Sequence, residues 1–254
     1  MKKILLVGES WVSNATHYKG WDQFSSTTFH LGAEKLIESI DSSQFQIEYM
    51  TSHEASEKFP CKMSDLQKYS SIILSDIGSN TILLHPKVWI EGETYVNRLK
   101  LIKDYVNLGG SFLMVGGYLS FQGINGSARY KGTAIEEILP IDIHPYDDRI
   151  EVPEGFNVTI KNEDHEILNG LSGIWPPLLG LNEVVPSKES QTIISTPESF
   201  GSHPLLVVGS YGSGKTMAWT SDIGPHWVSK EFLSWKGYSI LWNQILAWLV
   251  GENY

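Results

Sequence analysis

The sequence predicts an α/β protein built on a doubly wound, mostly parallel β-sheet, and three observations lead there. Continuous apolar runs recur at Ile4 to Val7, Ile72 to Leu74, Phe112 to Val115 and Leu205 to Val208, the pattern of strands buried on both faces. Helical spacings fall between several of them: Ala33, Leu36, Ile37 and Ile40 stand at i, i+3, i+4, i+7, and Leu99, Ile102 and Val106 at i, i+3, i+7, so each helix has one apolar stripe to lay on a sheet. The resulting β-α-β-α order implies right-handed crossovers between parallel strands, the arrangement of a flavodoxin-like sheet.

Each element has its own local signal. The first apolar run stops at Gly8 and Glu9, far short of a secretory signal, and reads as a first buried strand. Phe45, Ile47 and Tyr49 alternate with polar residues, as an edge strand does. The pair Gly109-Gly110 ends the helix carrying Leu99 and releases the chain into the next strand. Residues from about 123 to 196 break the rhythm with Pro140, Pro145, Pro153, Pro176, Pro177 and Pro186 and the alternating Phe156, Val158 and Ile160. They read as a β-rich insertion within one domain spanning residues 1–254. Leu241, Trp242, Ile245, Leu246 and Leu249 then form a closing amphipathic helix.

Composition narrows the partners. With 254 residues, 41% of them hydrophobic, the chain can bury a sizeable core. A formal charge of −10 argues against nucleic acid, whose binding needs a basic surface, and against an anionic membrane. The single cysteine, Cys61, can form no internal disulfide, and no Cys/His cluster has zinc-ligand spacing. It precedes a helix for which Ser64 and Gln67 have the spacing of a capping box, and an inert structural role is expected for it. No run is apolar enough to span a bilayer, so a cytoplasmic protein with no membrane partner is expected.

Gly209 to Thr216 satisfies the phosphate-loop pattern GxxxxGK[ST]. That loop works through a helix that begins at its lysine, whereas Met217 to Ser221 reads as a strand and Pro225 excludes a long helix soon after. A β-hairpin with a glycine-rich turn is the better reading. No cofactor is expected.

In an open α/β sheet the ligand crevice lies beyond the carboxyl ends of the strands. The candidates there are Glu9, Ser10 and Trp11, with a following loop that carries His17, Lys19, Trp21 and Asp22; Asp76 in Ser75 to Asn80; Tyr118, Ser120 and Gln122 after the Phe112 strand; and Asp222, His226 and Trp227 after the Met217 strand. Asp76 and Asp222 both stand in Ser-Asp-Ile-Gly, where a carboxylate also serves simply to turn the chain. Gly116-Gly117-Tyr118 has the outline of a nucleophile elbow beside helix N–H groups. A phenol with an ordinary pKa near 10 is a poor nucleophile at neutral pH and a better hydrogen-bond donor. Ser120, His226 and Asp222 make a hydrolase triad on paper, without the G-x-S-x-G context. His17, Asp22 and His226 are the residues that would have to converge for a metal, and no metal is assigned. The rim aromatics Trp11, Trp21, Tyr118 and Trp227 suit a flat ligand such as a sugar.

Four segments, Ser75 to Asn80, Gly116 to Gly123, Tyr146 to Glu151 and Ser221 to Trp227, are similar to those of the "putative glutamine amidotransferase" family, a branch of the class I glutamine-amidotransferase-like superfamily. The resemblance covers nearly the whole chain and implies the flavodoxin-like fold. Active class I enzymes carry Cys in G-x-C-x-G at the elbow and a later His-x-Glu. Tyr118 stands in place of that cysteine, and Val228 stands where the Glu would follow His226, so the resemblance implies ancestry without glutaminase chemistry. The reading is an amidotransferase-like protein that binds a small polar ligand, a carbohydrate or an amide, at the rim. The alternatives are a hydrolase using Ser120 or Tyr118 with His226, and a homo-oligomeric scaffold assembled through the aromatic-rich insertion.

Overall fold

A computed structural model describes residues 1–252 and residue 254. The strands are β1 (Lys2–Gly8), β2 (Ser10–Lys19), β3 (Asp22–Leu31), β4 (Phe45–Met50), β5 (Ser71–Ser75), β6 (Ser111–Val115), β7 (Ile141–Ile143), β8 (Arg149–Phe156), β9 (Thr159–Ile160), β10 (Leu178–Asn182), β11 (Val184–Pro186), β12 (Gln191–Ser195), β13 (Pro204–Tyr211) and β14 (Gly214–Trp219). The helices are α1 (Glu34–Ser39), α2 (Ser52–Lys58), α3 (Met63–Leu66), α4 (Ser79–Leu83), α5 (Pro86–Trp89), α6 (Arg98–Asn107), α7 (Lys230–Ser234) and α8 (Lys236–Val250).

Eight strands form one sheet in the order β4-β1-β5-β6-β14-β13-β12-β9. The first five are mutually parallel and give the 2-1-3-4-5 order of a flavodoxin-like sheet. Alternation along β1 divides the core. Ile4 and Leu6 share one apolar layer with Leu241, Trp242 and Ile245 of α8, while Leu5 and Val7 share the other with Leu99, Ile102 and Val106 of α6. The sheet is therefore covered on both faces, as the apolar runs require, and β4 is an edge strand. Within the β-rich section, β9 and β12 complete the main sheet, while β7 with β11 and β8 with β10 form two small ribbons.

Three local expectations are corrected. The loop expected after β1 is instead a hairpin of two ten-residue strands, β2 and β3, that turns at Gly20 and Trp21. Its middle, Ser13 to Thr16 opposite Ser25 to Thr28, is small and polar on both faces, so no apolar alternation marks it as strand. The capping box expected at Ser64 and Gln67 is absent, since α3 begins after Lys62 with no side-chain cap; the box lies instead at Thr51 and Glu54 of α2. Finally, no α-helix follows the elbow. The chain after Tyr118 runs through turns into a 3-10 turn at Ile124–Gly126.

The phosphate-loop pattern falls on the hairpin between β13 and β14. Gly212 takes its left-handed corner at φ +57°, and the Lys215 ammonium donates to the Trp248 carbonyl at 2.7 Å. Among the described residues, no helix is long and apolar enough to cross a membrane.

Candidate functional site

The strand order reverses its sense between β1 and β5, and this switch point is where an open α/β sheet leaves a crevice. Glu9 leaves β1 and Asp76 leaves β5 there, both in left-handed backbone, at φ +47° and +42°. Such conformations cost a non-glycine residue about 1–3 kcal/mol and persist only where the surroundings enforce them. Here the enforcing bonds are visible. Glu9 N–H donates to the Ser75 carbonyl at 2.8 Å and Gly32 N–H to the Glu9 carbonyl at 2.9 Å. The Asp76 N–H donates to Ser120 Oγ at 3.2 Å, and Asp76 Oδ1 accepts the Leu119 N–H at 2.6 Å.

Three carboxyls gather at this point. Glu9 is buried and accepts the Ser75 hydroxyl at 2.6 Å. A Cβ on Gly32 would come within 2.6 Å of its Oε1, so the wall beside it has no room for a side chain. Asp222, beyond β14, is buried and accepts the N–H groups of Ile223 and Gly224 at 2.6 and 3.2 Å. Burial, and then the charges of Asp222 and Asp76, push the Glu9 pKa well above the carboxylate range. Burial and the Asp76 charge push Asp222 up to about 8 against its two N–H donors. Burial raises Asp76 as well, opposed by the Leu119 N–H and by His226. Like charges in a dry site oppose one another's ionisation, so the cluster favours the protonated forms of Glu9 and Asp222.

Above this cluster stands the elbow. Gly117, at φ +144°, leaves no space for a Cβ, which would lie 2.8 Å from Asp76 Oδ1. Tyr118 and His226 meet edge to face with ring centroids 4.2 Å apart, so both emerge at the same end of the sheet. His226 Nδ1 lies 4.0 Å from Asp222 and its Nε2 3.9 Å from Glu151. Burial depresses the His226 pKa, and burial followed by the Glu151 charge raises that of Tyr118. The imidazole and the phenol are therefore both neutral at pH 7.

The β-rich section supplies residues for which the sequence offered no assignment. The Arg149 guanidinium of β8 covers the Tyr118 ring at 4.8 Å and is held by Asp147 through bonds of 2.9 and 2.8 Å. Glu151 accepts the Trp227 indole N–H at 3.0 Å. Asp148 accepts the N–H groups of Gln122 and Gly123 at 2.8 and 2.9 Å and the Asn182 amide at 2.8 Å. Asn182 in turn grips Gly117 on both its N–H and its carbonyl. In the sequence this stretch stands out as Tyr146 to Glu151, one of the four segments that carry the family resemblance, with no role attached to its charged residues.

The other expected residues divide. Ser10 is near, but its hydroxyl accepts the Ser52 N–H at the start of α2. Trp11 and His17 are carried off on the exposed hairpin, where Trp11 stacks on His30 and His17 on Phe24. His17 is seven positions out from Ser10, roughly 24 Å along an extended strand, so neither it nor Asp22 joins His226. Trp227 is wholly buried, which leaves its ring no face for a ligand. Ser120 is buried and bonds to the Asp76 backbone, with no hydrogen bond to His226. Gln122 borders a cavity of about 500 Å³, lined also by Asn125, Arg129, Tyr146 and Asp147. Its Oε1 is buried without a partner among the described residues. Cys61 lies between α2 and α3 beside Tyr95, away from the elbow.

A carboxyl cluster thus lies at the switch point of a flavodoxin-like α/β sheet, under an elbow that presents the Tyr118 phenol. The chain belongs to the family described as "Putative glutamine amidotransferase", whose match runs over residues 3–251. It is similar to the cytoplasmic protein STM3548 of Salmonella typhimurium, at 39% identity and a TM-score of 0.92 over 97% of this chain and 98% of that one. It is equally similar in sequence to the cytoplasmic protein STM1381 of Salmonella typhimurium LT2, at 39% identity and a TM-score of 0.91 over 97% and 99% of the two chains. A ThuA-like protein of Parabacteroides merdae shares the fold at 11% identity and a TM-score of 0.58 over 99% and 91%. None of the curated proteins matches the chain.

Proposed function

We propose that this is a cytoplasmic amidotransferase-like protein without glutaminase activity that binds a small polar ligand, a carbohydrate or an amide, at the sheet rim. The observation behind it is the state of the elbow. A glutaminase needs a thiolate there and free N–H groups to receive the oxyanion. Here the position holds Tyr118, whose pKa is raised, and the next N–H, that of Leu119, is taken by Asp76 at 2.6 Å. What remains is suited to recognition. The Arg149 guanidinium covers the Tyr118 ring and is held by Asp147, which lines the cavity of about 500 Å³ together with Gln122, Asn125 and Arg129, polar side chains able to meet a hydroxyl or an amide. Location in the cytoplasm is supported by the names of the two Salmonella relatives.

Thermal shift against a panel of sugars, amino acids and amides tests this, because a ligand of the native state raises its melting temperature. At least one class is expected to shift the wild type, and Gln122→Ala and Arg149→Ala are each expected to lose most of that shift. A flat response to the whole panel would reject the proposal. Installing the missing thiol by Tyr118→Cys is expected to yield no ammonia from glutamine, since Asp76 still occupies the oxyanion donor; measurable release would show that the elbow is competent after all. The competing hydrolase reading predicts ester turnover that His226→Ala abolishes.

A further inference from the structure

The ribbon of β2 and β3 pairs with no other strand of the described residues. Beyond its root, where Phe29 meets His53 edge to face and Ser10 is hydrogen-bonded to Ser52, its own contacts hold it: the ten-pair ladder, His17 to Ser26 at 2.9 Å, Thr27 to Asn14 at 2.8 Å, and the stacked pairs Trp11–His30 and His17–Phe24. A two-stranded ribbon standing alone is marginally stable in water, and both of its outer edges are open to pairing. Its surface is that of an interface. Trp11, Val12, Tyr18, Trp21, Phe24 and Phe29 are all exposed, and Trp21 at the tip is fully so. The register puts Trp11 and Phe24 on one face of the ribbon and Val12, Tyr18 and Phe29 on the other, so each face carries the aromatic residues that interface cores concentrate.

Charge and area identify what covers it. Lys19 and Asp22 are the only formally charged residues of the ribbon and cancel, so the whole net charge of −10 resides on the rest of the chain. Two such bodies placed face to face repel one another. A neutral arm laid on an acidic body avoids that repulsion. Ten residues per strand at ~3.4 Å give an arm about 34 Å long and ~10 Å wide, so one face offers roughly 340 Å². A stable interface needs about 800 Å² per partner, more than one arm contact supplies. When two copies exchange arms about a twofold axis, each gives one contact and receives another, which brings the area to roughly 700 Å² per partner.

We propose that residues 10–31 form an arm that docks on the body of a second copy of this chain, in a reciprocal twofold exchange anchored by Trp21. Ser10 and Leu31 are paired at the root of the arm, so residues 11–30 can be replaced by an Asn-Gly turn. Sedimentation velocity at micromolar concentration is expected to give two chains for the wild type and one for the excised variant. Trp21→Ser, which alters only an exposed tip, is expected to weaken the dimer by roughly tenfold or more, and it keeps the test valid if the excised variant fails to fold. A wild type that sediments as one chain, leaving the arm for a different partner, overturns the proposal. So does an excised or Trp21→Ser variant that associates as tightly as the wild type.

Discussion

Raising the pH from about 4 to about 9 is expected to cost the native state stability on the order of a few kcal/mol through Asp222 alone. The carboxyl is buried beside Asp76, and its pKa in the fold stands at about 8 against an ordinary 3.8. A group whose folded pKa is raised binds its proton more tightly in the native state. Its contribution is therefore complete below the unfolded value and is lost as pH rises through about 8. Glu9 is shifted in the same direction. His226, with a depressed pKa, acts in the opposite sense, gaining stability as pH rises, and is common to wild type and variant. Asp222→Asn keeps the shape and stays neutral, so thermal melts across this range should show the variant gaining on the wild type as pH rises. Parallel curves would mean that Asp222 is ionised in the native protein and that the carboxyl cluster is solvated.

Arg98→Met is expected to destabilise the protein by about 3–5 kcal/mol, the cost of breaking a buried charged network. Arg98 is entirely buried at the start of α6, where it donates to the carbonyls of Ala55, Ser56, Thr81 and Ile82. Those carbonyls belong to the ends of α2 and α4, at the negative end of each helix dipole; that of Ala55 also accepts the Phe59 N–H at 3.3 Å, and the other three have no further turn to satisfy them. Methionine fills much of the volume and leaves the Ser56, Thr81 and Ile82 carbonyls dry. Arg98→Lys should recover only part of the loss, because one ammonium cannot span two helix ends as the guanidinium does. Urea unfolding measures both, and a midpoint change worth less than about 1 kcal/mol in Arg98→Met would show that water replaces the guanidinium.

The elements that were legible in the sequence are those whose own residues carry the signal. Ile4 to Val7 must be a doubly covered strand because nothing in it is polar, and Gly209 to Thr216 must turn because a strand follows its lysine. The β2–β3 arm was illegible for the same reason inverted. A ribbon wet on both faces has no buried side to impose alternation, and its Ser, Asn and Thr residues read as loop. The site was half legible. The strand-end rule found Glu9, Asp76, Tyr118, Asp222 and His226, and the first, second and fourth form the cluster while Tyr118 and His226 touch. It also collected Trp11 and His17, which the arm carries away.

By itself, then, the sequence determined the parallel sheet, the end of it at which polar groups collect, and the phenol at the turn that follows Phe112 to Val115. Those follow from hydrophobic period and from residue identity at a position, which are properties of short segments. Only the tertiary structure decided that Asp76 and Asp148 occupy the elbow N–H groups, that Arg149 from a distant strand covers Tyr118, and that Glu9 shares its burial with Asp222. Hydrogen-bond partners and pKa shifts depend on which groups lie within a few ångströms after folding, and residues separated by dozens of positions carry no mark of that in their local order.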